Sequence, residues 1–515
     1  MSASLAMARN MAIVAFASYT ESAVGLLAAI FIARTLGPSQ YGHYAYAVWL
    51  CGSLVTIANS ALTTSSIKFI AEMRGAQRMD LVEILVHKFR RWQAISVVLV
   101  LIGFGIYNHF QPMLDGQAYD GRVIWIVVIA VWARAGFWLM GAIGKGHEQF
   151  GPENFALMLA AVMNLVVTCT LAWLGADLVA FLCCYAFLGV MCNVMVRVLL
   201  KRGGVAARSG ELPQPLFVRL RRHLLLTGIM ITFYVLTNRA VEMTLLKQFA
   251  DSASVAYFAI AGSLSRGVLD LFAGSLSAVL LPSMAKQYGE GGVKALNRML
   301  VESARMYWFI GLIVAGLGLT VADGAIRFFY GERYVLAIPA LCWQFLASGL
   351  LVANGAALAA LTTDDRQLGR VLIVGTAFVF NVIAGYVLIP AHGLNGAIAS
   401  SILTQVFATV LIWSYIFKLT GARLMWGSMG RLLLSAVAAA ALAAGLTMNV
   451  RWPLVFIPGA LVFLGLYLTF GVRLRAWRAS EYDLFAALAG RLGAPGRKLS
   501  PWLAGLGQRF GEEQR

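Results

Sequence analysis

The sequence predicts an all-α polytopic membrane protein with about fourteen transmembrane helices, and three observations carry that prediction. Of the 515 residues, 60% are hydrophobic and 12% charged, whereas soluble domains are about half apolar and a quarter charged. The mean hydropathy is +0.77. Apolar runs recur along the whole chain, each about 20 residues long and so able to cross a hydrocarbon core about 30 Å thick as a helix. Barrel strands are about half that length and alternate in polarity.

The first run, 11 to 33, follows Arg9-Asn10. It is too long for the apolar region of a signal peptide and lacks a small-residue cleavage site, so it reads as a retained span. The next seventeen residues, RTLGPSQYGHYAYAVWL from Arg34, turn at Gly37-Pro38 and open the second span at 41 to 63 on three tyrosines, which suit the membrane interface. Beyond a basic loop from Lys68 to Arg91 lie spans at 93 to 109 and 123 to 143, divided by the stretch Phe110 to Arg122. After Lys145 come 154 to 174 and 177 to 199, which complete six helices. The Gly/Pro-rich, charged segment KRGGVAARSGELPQP from Lys201 has the composition of a flexible linker. Eight further spans follow at 224 to 248, 253 to 281, 304 to 322, 337 to 361, 368 to 390, 396 to 417, 429 to 449 and 452 to 471.

A net charge of +18 in a soluble protein points to nucleic acid, but here the basic residues sort by membrane side. With the N-terminus inside, thirty-two Lys and Arg fall in cytoplasmic segments, six in external ones (Arg34, Arg122, Lys247, Arg327, Arg333 and Arg451) and three within helices. That asymmetry predicts both termini in the cytoplasm, and basic residues so placed call for no nucleic-acid partner. No external loop is large enough for a catalytic domain, so the reading is a transporter and not an enzyme. The six cysteines lie in apolar runs without a C-x-x-C pair, which favours buried free thiols over metal or disulfide chemistry. No cofactor is expected.

A shift of 213 residues lays RTLGPSQYGHYA (34 to 45) over KQFADSASVAYF (247 to 258), with Arg34 on Lys247 and Tyr44 on Tyr257. A shift of 217 lays Asn164 on Asn381. Two matches at nearly one offset, in helices of the same order and sidedness, argue for a duplication of six helices. An even number keeps the copies parallel, as in transporters built from parallel repeats around a central cavity. The expected organisation is an N-lobe at 1–200, a cytoplasmic linker at 201–223, a C-lobe at 224–420, two extra helices at 421–471 and a basic amphipathic tail at 472–515.

ARTLGPSQYGHYAYA after a first span opening with RN, FYGERYVLAIPALCWQFLA at 329 to 347 and LIPAHGLNGAIAS at 388 to 400 together resemble recurring segments of the polysaccharide transporters. These are the Wzx-type lipid-linked oligosaccharide flippases of the multidrug/oligosaccharidyl-lipid/polysaccharide (MOP) exporter superfamily. The resemblance covers roughly residues 9 to 420; it departs after helix seven, where FADSASVAYF stands in place of the usual LG and second glycine. It implies a flippase of the cell inner membrane for undecaprenyl-diphosphate-linked oligosaccharide, with polysaccharide polymerase or chain-length machinery as partners. The alternative on the same fold is a cation-coupled multidrug exporter.

Charge near a helix centre costs about 3 kcal/mol or more, so intramembrane charges are functional candidates. They are Glu21 on helix one, Arg134 on helix four, Arg239 and Glu242 on helix seven, and Arg266 and Asp270 on helix eight. Tyr234, Asn238 and Glu242 form one stripe, while Ser263, Arg266 and Asp270 belong to another. Helices one, two, seven and eight are therefore the expected cavity walls. The pairs Arg239/Glu242 and Arg266/Asp270 serve equally well as internal neutralisation or as ligand contacts. Arg134 and Glu21 have no partner on their own helix, and for Arg134 the anion-site reading is favoured. Its planar fork suits phosphate, with Arg34 and Lys247 placed to attract the head group at the outer mouth. Glu21, Glu242 and Asp270 are the candidates for ion coupling. The tail, with SEYDLFAALAGRLG and SPWLAGLGQRF, reads as helices lying on anionic lipids.

Overall fold

The chain has no room for extended structure in hydrocarbon, and among the described residues every regular element is helical. The computed structural model describes residues 3–115, 121–269, 275–363, 367–447 and 456–477, with 482, 486, 500, 501 and 505. The helices are α1 Ala3–Asn59, α2 Leu62–Gly75, α3 Met79–Asp115, α4 Gly121–Gly146, α5 Gly151–Trp173, α6 Leu178–Arg202, α7 Gln214–Val235 and α8 Val241–Phe249. They continue as α9 Ser252–Leu269, α10 Ser275–Ala325, α11 Ala337–Leu351, α12 Asn354–Thr363, α13 Gln367–Thr420, α14 Trp426–Thr447 and α15 Phe456–Arg473. A π-turn, Leu236–Ala240, joins α7 to α8.

Three of these helices are broken at glycine. α1 breaks at Gly37 (φ 71°), α10 at Gly291 and Gly292 (φ 60° at the latter), and α13 at Gly393 (φ 52°). Positive φ costs glycine nothing, and Pro38 begins the second half of α1, where a missing N–H is harmless. Nine helices among the described residues are long and apolar enough to cross a membrane, or ten with the bent pair α11 and α12. The fourteen expected spans correspond to these once α1 and α13 are divided at their glycines. The two remaining spans are 224–248, interrupted by the π-turn, and 253–281, which passes through residues outside the described set.

Two units make up the chain, Met1–Ala259 with Val374–Ala397 and Ile260–Ile373 with Ile398–Arg515. In unit one, Phe69, Leu85, Phe89, Leu139, Ile143 and Val196 form the core. α3 turns the opposite face outward, with Ile95, Val98, Leu99, Ile102 and Ile106 between 50% and 63% exposed on one stripe. A soluble protein seldom exposes so large an apolar patch, and here it is the surface expected to meet lipid. Polar groups are paired inside: Gln93 Nε2 donates to Asn59 Oδ1 at 2.8 Å, and Asn59 Nδ2 donates to the Ala135 carbonyl at 3.1 Å. All six cysteines are free; Cys51, Cys184 and Cys192 are buried, but Cys183 is exposed on α6, against the expectation of burial.

Unit two is built around stacked aromatics: Phe309, Phe463, Tyr467, Trp477 and Tyr482. Buried Arg305 donates from Nε to Ser428 Oγ at 2.9 Å and from Nη2 to the Ala476 carbonyl at 2.7 Å. The start of the tail is thus packed into this core through Trp477 and Tyr482, rather than laid on a surface; most of the tail lies outside the described residues. α10 and α11 meet at Gly311 and Gly349, where a Cβ on Gly311 would lie 2.0 Å from the Gly349 carbonyl oxygen.

That approach yields a stability prediction. Gly311→Val forces α10 and α11 apart and lowers stability by about 1–3 kcal/mol, read as a lower melting temperature of the purified protein in detergent. Gly430→Ala, where a Cβ meets nothing within 4 Å, leaves melting unchanged.

Candidate functional site

The cavity of unit one holds about 690 Å³. It is walled by the second half of α1 (Gly52, Val55, Thr56, Asn59), the α1–α2 junction and α2 (Ser60, Thr63, Thr64, Ile67, Lys68), α4 (Arg134, Trp138, Ala142, Lys145), Tyr185 of α6 and Ile231 of α7. The α4 residues fall at intervals of four, four and three, which places them on one helix face. Helices two and seven were expected as walls and Arg134 of helix four as a cavity residue, whereas the wider α4 face and α6 were not. The α4 spacing, with its Arg, Trp and Lys, was the signal that could have shown one of them; Tyr185 and Lys68 carried no such pattern.

Three cations reach this cavity. Lys145 is neutralised: its Nζ lies 2.9 Å from Oε1 of Glu153, a carboxylate only 4% exposed. Glycine makes the burial of that acid possible, since a Cβ on Gly141 would lie 2.7 Å from Glu153 Cδ. Lys68 makes no ion pair among the described residues; its Nζ lies 5.6 Å from the centroid of the Phe69 ring. Arg134 lies deeper, with Cζ 3.6 Å from the centroid of Tyr185. Its Nε is buried without a hydrogen-bond partner, and it makes no ion pair among the described residues.

The remaining predicted residues are dispersed. Arg34 is exposed, three residues before the Gly37 break. Lys247 stands over the Tyr46 ring, 5.0 Å from its centroid. Arg239 occupies the π-turn with φ at 67°. Asn381 Nδ2 donates to Glu242 Oε1 at 2.8 Å. That carboxyl is 1% exposed. Arg266 is exposed in the last turn of α9. Asp270 and the side chains of Glu21 and Asn238 lie outside the described residues.

The two segments aligned at a shift of 213 residues, 34–45 and 247–258, touch. A Cβ on Gly42 would lie 1.7 Å from the Ser252 carbonyl oxygen, so only glycine lets these backbones meet. Beside this contact, Ser252 Oγ and His43 Nε2 are 3.0 Å apart, and Tyr41 and Tyr46 are buried.

No protein-family model and no curated protein matches the chain. Solved structures do. The inward closed conformation of the lipid II flippase MurJ is similar with a TM-score of 0.69 at 12% identity, covering 89% of this chain and 97% of that one. An inward-facing multidrug-resistance MATE transporter of the MOP superfamily gives 0.65 at 14% identity, covering 78% and 94%. A MOP superfamily transporter from Pyrococcus furiosus gives 0.54 at 13% identity, covering 81% and 95%. The fold is that of MOP superfamily transporters.

The Lys145 pair is directly testable. Lys145→Met strands the buried Glu153 carboxylate and lowers stability by about 1–3 kcal/mol. Adding Glu153→Gln recovers most of the loss in a thermal melt, whereas equal melting of single and double variants would assign the pair no role.

Proposed function

We propose that the protein is a flippase that carries an undecaprenyl-diphosphate-linked oligosaccharide, a repeat unit of O-antigen, capsule or exopolysaccharide, from the inner to the outer leaflet of the bacterial inner membrane. The observation that carries this reading is Arg134: a guanidinium inside a membrane cavity, with no ion pair among the described residues and a buried Nε that has no acceptor among them. An uncompensated charge within hydrocarbon is costly, and an anionic ligand is what offsets it. Guanidinium stays charged and binds phosphate through paired donors. Lys68, toward the basic cytoplasmic loops, extends the positive potential to the side from which the head group enters.

In this mechanism the diphosphate is drawn in past Lys68 and held at Arg134. The glycan fills the cavity against Thr56, Asn59, Ser60 and Trp138, and the polyprenyl chain stays in lipid. Parallel lobes, 1–200 and 224–420, then change access, and an inside-negative potential favours outward movement of negative charge by about 2.3 kcal/mol per charge per 100 mV. The packing of Gly42 and His43 on Ser252 supports the hinge pair as an outer gate, shut in this conformation. Arg239, Arg266, Arg34, Lys247 and Asn238 are proposed to meet the substrate along its path. Glu21, Glu242 and Asp270 are proposed for ion coupling, with Glu242 and its Asn381 partner the best placed because the carboxyl is wholly enclosed.

Two measurements test the proposal. Arg134→Ala, expressed at the wild-type level, reduces glycan export about 10-fold or more, the loss of one charged hydrogen-bonding pair; unchanged export overturns it. The same variant leaves drug resistance of a pump-deficient strain unaltered, whereas resistance that depends on the wild-type protein would favour a multidrug exporter. For the gate, His43→Cys with Ser252→Cys in a background lacking the six native cysteines forms a disulfide that stops export until reduced. Full export by the oxidised protein would remove the hinge from the gating step.

A further inference from the structure

We infer that Tyr185 is a positioning residue, which fixes the Arg134 guanidinium so that its two terminal nitrogens present an end-on fork to one phosphoryl group. The inference rests on the proposed reading of Arg134 as the anion-holding cation.

All five N–H groups of a guanidinium lie in its plane and none on its faces. Stacking one face on a ring therefore leaves every donor available, while removing rotational freedom. The Arg134 Cζ lies 3.6 Å from the Tyr185 ring centroid, a van der Waals distance. One turn along α6, Gly189 walls the stem: a Cβ there would lie 3.1 Å from Arg134 Cγ and 3.6 Å from Nε. The side chain is thus bounded by a ring under its head and by the α6 backbone beside its methylenes.

This placement also selects the donors. Nε is buried and has no partner, so the side edge of the guanidinium is shut away. Neither terminal nitrogen is buried unsatisfied, and Arg134 makes no ion pair or hydrogen bond among the described residues. Nη1 and Nη2 are left to face the cavity. Two donors on one carbon match two oxygens on one phosphorus, the paired geometry that distinguishes Arg from the point charge of Lys. A lysine at 134 has neither a flat face for Tyr185 to hold nor a fork to present.

The test measures binding of undecaprenyl diphosphate to the full-length protein in nanodiscs. Tyr185→Phe keeps the ring and is expected to bind within about twofold of wild type. Tyr185→Leu, and Tyr185→Met as a longer unbranched side chain, are expected to weaken binding about 3- to 30-fold, the span of a cation–π contact, with unchanged melting temperatures. In an Arg134→Ala background the same Tyr185 substitutions are expected to have no further effect, because the ring acts only through the arginine. Wild-type affinity in both Leu and Met variants, a loss in Phe equal to that in Leu, or an undiminished effect without Arg134 would each overturn the positioning role. A wild-type protein that binds no undecaprenyl diphosphate, or an Arg134→Ala variant that binds it normally, would instead overturn the anion-site reading beneath it.

Discussion

In hydrocarbon a peptide group has no water to turn to, so each backbone N–H and C=O must be satisfied within its own segment. Helices follow from that, and so does the way this chain turns between them. Where a long helix breaks, glycine takes a left-handed φ: 71° at Gly37, 60° at Gly292 and 52° at Gly393. Gly331, with φ at 89°, does the same between its π-turn and the short helical turn Glu332–Tyr334. The three sequence segments that carried the family resemblance each contain one of these glycines. What recurs in them is a backbone requirement, with aromatic or proline neighbours that stiffen the turn.

Close packing is the second use of glycine here, and it governs where polar atoms can be enclosed. Gly141 leaves room for the Glu153 carboxyl, Gly136 for Asn193 and Arg197, and Gly189 for the stem of Arg134. α4 and α6 approach closely because small residues face each other, and the space so opened is filled by charged and polar side chains. The charges are then held by fixed neighbours: Lys145 on Glu153, Arg197 on Asn193, Arg134 on Tyr185. The cavity wall owes its order to that packing.

Much of this was legible in the chain. Composition and run length specify helical spans, and the Gly37-Pro38 break is visible as a turn. The duplication signal that paired Arg34 with Lys247 also anticipated two related hinges, though not that Gly42 and Ser252 would be in contact. At helical spacing Ser53, Thr56, Ser60 and Thr63 share one face, and the last three of them line the cavity. Periodicity did not pair Glu242 with Asn381 across 139 residues, because helical spacing sees only its own helix and offered Arg239 instead. Nor did it reveal the burial of Trp477 and Tyr482 in unit two, since an amphipathic face looks the same whether it meets lipid or protein.

The sequence by itself determined the class of solvent, the helical content, the places where the backbone must turn and the presence of Arg134 in a span where charge is costly. These are local properties, set by hydropathy over about 20 residues and by the φ that a single residue can adopt. Tertiary structure decided which faces enclose the cavity, that Lys145 is paired with Glu153 while Arg134 makes no ion pair among the described residues, and that Tyr185 lies under the guanidinium. Those outcomes depend on contacts between residues far apart in the chain, whose side chains are brought together only when small residues let the helices close.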